Sequence, residues 1–190
     1  MRVRAMPPLA VLLFAGLLTA GCSSKEHTDT AQPAAHTAQA SAAPAKPLDL
    51  CQLMPVGEVA TTLQAHGADT VTEQKSGAGG MCSYLHVPRP GDYHTRLLID
   101  FTRMPSPAQA QASLATQRHM FSDRGMAVTP VPGLGDEAFV AEAEGAEGLK
   151  LRVGPWLGQV NLEVEDRPPA TLRPAVLALG QQVLARLPQP

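Results

Sequence analysis

From Leu48 onward, apolar residues recur at a period of about 3.6 in some stretches and 2 in others, and this alternation of periods divides the chain into elements. Val56, Val59, Ala60 and Leu63 repeat at helical spacing behind Pro55, whose fixed φ suits a first turn, and Gly67 closes the helix. Met81 to Val87 reads as a strand, Pro88-Arg89-Pro90-Gly91 reverses the chain, and Tyr93 to Thr102 returns with Leu97, Ile99 and Phe101 on one side. Ser106-Pro107-Ala108-Gln109 supplies a capping Ser, a Pro at the first helical position and a Gln two further on; Ala110, Leu114 and Phe121 continue one face until Gly125. Short extended pieces around Val128, Val131, Phe139 and Val140 precede a half-buried strand in which Leu149, Leu151 and Val153 alternate with Lys150 and Arg152.

The clearest amphipathic strand follows a Gly154-Pro155 turn. Trp156, Gly158, Val160, Leu162 and Val164 point one way, and Gln159, Asn161, Glu163 and Glu165 the other. After Pro168-Pro169, Leu172, Val176, Leu179, Val183 and Leu187 recur at helical intervals, and Pro174 requires that this helix start close before it. The order helix, hairpin, helix, antiparallel strands, helix predicts an α+β domain over 48–190, an antiparallel sheet with helices packed against it.

The first 47 residues follow neither period. Arg2 and Arg4 precede an uninterrupted apolar run from Leu9 to Leu18 and then small residues, the layout of an export signal over 1–21. Ten apolar residues are too few to span a bilayer. Leu18-Thr19-Ala20-Gly21-Cys22 resembles the lipobox of bacterial lipoproteins, with Thr19 where Leu is commoner. The resemblance implies that the signal is cut before Cys22 and that the Cys22 sulfur is acylated. Two or three acyl chains make such anchoring durable, where one does not.

Ser23 after the acylated Cys implies outer-membrane sorting in a Gram-negative cell; otherwise the protein sits on the outer face of the cell membrane. Residues 22–47, rich in Ala, Thr, Gln, Ser and Pro, read as a disordered tether with a reach of roughly 25–30 Å.

Assigning Cys22 to lipid leaves Cys51 and Cys82 as an even pair in an oxidising compartment, and a disulfide between them would staple the first helix to the hairpin. Two free or catalytic thiols are the alternative, without a Cys-x-x-Cys motif to favour it. Net charge is −2, and loss of Arg2 and Arg4 takes it to −4, with no basic stripe to displace counterions from a phosphate backbone. No nucleic-acid partner is expected.

The signatures of nucleophilic, zinc-dependent and nucleotide chemistry are absent, so no enzyme and no cofactor is expected. Ser76-Gly77-Ala78-Gly79-Gly80 lacks the Lys and helix of a phosphate loop and reads as a turn. His86 and His94 flank the hairpin turn, with Asp92 and Tyr84 near, but two imidazoles do not complete a metal site. Asp136, Glu137, Glu142, Glu144 and Glu147 crowd one segment with no basic residue among the first four. They are candidate contacts for a cationic partner, against the blander reading of a solvated hairpin.

Asp49-Leu50-Cys51-Gln52-Leu53-Met54 with Glu58, then Cys82-Ser83-Tyr84, then Gly133-Leu134-Gly135-Asp136-Glu137-Ala138 together resemble a group of bacterial lipoproteins common in actinobacteria. That group carries no assigned catalytic residues; the resemblance implies the disulfide and the α+β fold. The expected function is a membrane-anchored, non-enzymatic binding or accessory domain that meets an envelope protein. An inhibitor or immunity lipoprotein against an envelope-targeting toxin, and a small-molecule or lipid carrier, are the alternatives.

Overall fold

Side-chain caps start two of the helices, one of them a short helix that the hydrophobic pattern does not mark. The computed structural model describes residues 48–188 apart from 69, 78–79, 87–94 and 144–145. The signal, Cys22, the tether, the hairpin turn with Asp92 and His94, and Glu144 lie outside the described residues. Asp49 caps a short helix α1 (Leu50–Leu53), its Oδ1 accepting from the Gln52 N–H at 3.1 Å. Helix α2 (Val56–Ala65) closes on Gly67 at φ +67°.

Strands β1 (Glu73–Ser76), β2 (Met81–His86) and β3 (Thr95–Arg103) form a meander. Helix α3 (Pro107–Asp123) follows, with the Ser106 Oγ accepting from the Gln109 N–H at 3.2 Å. Four more strands, β4 (Ala127–Pro130), β5 (Glu137–Ala143), β6 (Ala146–Val153) and β7 (Trp156–Val164), lead to helix α4 (Pro169–Leu184). Pro174 lies inside α4, further from its start than the sequence pattern predicts. It sits on the exposed side, and the Ala170 carbonyl that it deprives of a donor belongs to an exposed residue, so water can replace the lost bond.

The seven strands form one antiparallel sheet in the order β1-β2-β3-β7-β6-β5-β4. Its centre is the pairing of β3 with β7 along their full lengths, from Thr95 opposite Val164 to Arg103 opposite Trp156. One face carries the main core. Leu97, Ile99 and Phe101 join Val160, Leu162, Leu149, Leu151 and Val140 beneath Leu172, Val176, Leu179 and Val183 of α4 and Met54, Val59 and Leu63 of the N-terminal helices. Gly158 stands directly opposite Phe101, and a Cβ there would meet the Phe101 ring at 2.2 Å, so the ring lies where a side chain would otherwise be.

Cys51 and Cys82 form a disulfide, Cα to Cα 5.2 Å, that ties α1 to β2. Beside it the buried Tyr84 hydroxyl donates to the Met54 carbonyl at 2.6 Å, a second tie between the same elements. Among the described residues the opposite sheet face carries only α3, which buries Leu114 against Phe139 and Ala141 with Phe121, Val128 and Leu157 around them. That small cluster lies over the β5–β7 side, and no helix of the described residues lies over the β1–β3 side of this face.

Candidate functional site on the open sheet face

The period of two in each strand decides what the open face displays. Pairing aligns Glu73, Leu85, Arg96 and Glu163 in one row across the sheet. The next row is Lys75, Ser83, Leu98 and Asn161. Leu85, Leu98 and Met81 are half-buried, whereas Lys75, Arg96 and Glu163 are exposed. A hollow of about 840 Å³ opens here, lined by Lys75, Ser83, Leu85, Arg96 and Glu163 and by the 165–168 turn.

A third row runs Met81, Asp100, Gln159, Lys150, Phe139. Where α3 crosses it, a cleft of about 460 Å³ has Met104, Met120, Phe121 and Leu157 among its lining and Asp100, Lys150 and Gln159 on the sheet side. Lys150 is only 6% exposed. Its ammonium donates to the Gln159 Oε1 and, at 3.2 Å, to the Asn161 Oδ1, and lies 5.5 Å from the centre of the Phe121 ring. The Gln159 amide donates onward to the Asp100 carboxylate at 3.3 Å.

Burial pulls the Lys150 pKa down to about 8, the Asp100 charge opposing the shift. Burial likewise raises the Asp100 carboxyl, against its bond from Gln159 and the charge of Lys150.

The sign of the resulting pH dependence follows from a depressed lysine. The unfolded chain holds the proton up to the ordinary value, so stability rises between about pH 8 and 10.5 and is lost as pH falls through the folded value. Wild type should therefore gain on the order of 2–3 kcal/mol over Lys150→Met between pH 7 and 10.5 in paired denaturant titrations. Tyr84, pushed up by burial, is common to both proteins and cancels. Parallel pH profiles would contradict the assignment.

Comparison with protein-family models and with curated proteins returned no match.

The described acidic residues of the segment are paired with arginines and only partly solvated, Asp136 being exposed and Glu142 half-buried. Glu147 is fully buried on the core face, directly opposite Glu142, and Arg173 of α4 bridges the two, its Nε donating to Glu147 at 2.7 Å and its other arm to Glu142. Burial nonetheless raises the Glu147 carboxyl, with Arg173 opposing. Glu137 pairs with Arg118 at 2.8 Å. Asp136 takes Arg152 at 2.9 Å and the Gly154 N–H at 2.7 Å, so it braces the β6–β7 turn rather than its own loop. Gly133 and Gly135 do serve turn geometry, at φ +78° and +65°.

Trp156 is a core-rim residue, its indole donating to the Pro188 carbonyl at 3.2 Å. His66 ends α2, and His119 pairs with Asp123 on the exposed side of α3. Among the described residues no three His, Cys, Asp or Glu side chains gather as a metal site, and no helix is long and apolar enough to cross a membrane.

Lys150 is the residue that sequence reasoning missed. Its alternation with Leu149 and Leu151 marks it as facing away from the core, which it does; that α3 then covers it depends on the path of a distant segment.

Proposed function

We propose that the chain is a lipid-anchored protein of the cell envelope, related to the lipoprotein group it resembles, and that its domain is a non-enzymatic module that binds an envelope protein on the open half of the sheet. The anchor rests on the lipobox-like Leu18 to Cys22 and the tether behind it. The observation that carries the binding reading is the β1–β3 face, which no helix among the described residues covers and where half-buried Met81, Leu85 and Leu98 are edged by exposed Lys75, Arg96 and Glu163. An apolar centre inside a charged rim is the make-up of a protein-docking surface. The acidic segment is the weaker choice, because Arg118, Arg152 and Arg173 already neutralise Asp136, Glu137, Glu142 and Glu147.

Affinity capture from envelope fractions tests the reading. The anchored chain should retain a stoichiometric protein partner, and Leu98→Glu, a change on a solvent-facing strand position, should lose it at least tenfold with an unchanged melting profile. Cys22→Ala should abolish labelling by a fatty-acid probe. Equal recovery by wild type and Leu98→Glu would remove the docking surface, and persistent lipid labelling of Cys22→Ala would remove the anchor.

A further inference from the structure

We infer that the cleft between α3 and the sheet is a binding site for a small monocarboxylate with an apolar body, held by Lys150. The inference does not depend on the anchor or on the docking partner. Lys150 brings a cation to the sheet side of a recess lined by apolar and polar side chains alike, and the cost of desolvating it there is only partly offset by the charge of Asp100. An ammonium has three N–H donors, and two of them go to neutral amide oxygens, those of Gln159 and Asn161. Among the described residues no carboxylate hydrogen-bonds Lys150: Asp100 is joined to it through the Gln159 amide and acts on it by charge alone. Among the described residues the third donor meets no oxygen and has only the Phe121 ring nearby, so a carboxylate entering the cleft could take it in a charge-assisted hydrogen bond.

The walls specify the rest of the ligand. Met104, Met120, Phe121 and Leu157 line the recess, and two of the four are unbranched thioethers able to repack around chains of different shape. Met120, 38% exposed, is the one large hydrophobic side chain among the described residues that is left in solvent, and a ligand alkyl chain would cover it. Asp100 on the same floor selects the head group. Asp100 already offsets part of the Lys150 charge, so the recess favours a single added negative charge, and a dianion, as on a phosphate monoester, would bring a second charge that faces Asp100 unpaired.

The test uses the full chain carrying Cys22→Ala, so that no acyl group of the protein competes, with octanoate as the probe and octanol and octyl phosphate as controls. Titration calorimetry, with the methyl resonances of Met104 and Met120 as site reporters, should show saturable octanoate binding that shifts both methyls. Octanol and octyl phosphate should each bind at least tenfold more weakly. Lys150→Met, which keeps the apolar stem of the side chain, should lose tenfold or more, and the surface change Met120→Ala several-fold, whatever Lys150→Met does to folding. Absence of saturable octanoate binding, binding that ignores both variants, or octanol or octyl phosphate binding as tightly as octanoate would each overturn the assignment.

Discussion

Arg173→Ala lowers the stability of the domain by about 2–3 kcal/mol at pH 7, because it leaves the buried Glu147 carboxylate without its partner while the guanidinium itself is only partly buried. Glu147 and Glu142 lie side by side on neighbouring strands, and like charges directly opposite each other repel. Among the described residues it is Arg173, reaching down from the first turns of α4, that offsets this repulsion and the burial of Glu147. The pH dependence carries the signature. Burial raises the folded-state value of Glu147, so its contribution to stability is present when it is protonated, below the ordinary carboxylate range, and is lost as pH rises through the raised value.

Removing Arg173 removes the interaction opposing that rise. The deficit of the variant in urea unfolding should therefore shrink as pH falls from 7 toward 4. The double variant Glu147→Leu with Arg173→Met should recover most of the loss, since an apolar pair needs no compensation. A deficit below 1 kcal/mol, or one independent of pH, would show that the pair is not the constraint described.

Cys51→Ser with Cys82→Ser costs about 3–4 kcal/mol, because the bond closes a loop between residues 31 apart and its removal frees the unfolded chain. For a domain of this size the melting point should fall by roughly 10 °C. Neither cysteine is exposed, so the loss should appear with strong reductant only after slow opening, and immediately in the double variant. The hydroxyl bond of Tyr84 to Met54 still holds α1 and α2 to β2, so the sheet itself should survive with its circular dichroism little changed. A melting shift below 3 °C would contradict the loop-closure argument.

The elements that the sequence discloses are those whose own residues settle their environment. Strand β7 is legible because Val160, Leu162 and Val164 alternate with Gln159, Asn161 and Glu163. Helix α3 is legible from the Ser106 cap. The α+β class follows from their order, and the disulfide from the cysteine count once Cys22 is set aside. Strand β1 is hidden because Glu73-Gln74-Lys75-Ser76 is exposed throughout and is a strand only by pairing with β2. The cations that neutralise the acidic segment come from α3, β6 and α4, at distances in sequence that no local pattern reports. Lys150 and the open half of the sheet belong to the same class of fact: alternation marks a polar face, but only the path of α3 divides it into a covered part and a free one.

The binding reading rests on that free part, and one measurement addresses it directly. A photo-activated cross-linking residue placed at position 98 of the full chain, and separately at exposed position 171 on α4, should be illuminated in intact cells. The account predicts one abundant cross-linked protein from position 98 and none from position 171; cross-links from both alike, or none from position 98 under any growth condition in which the chain is made, would contradict it.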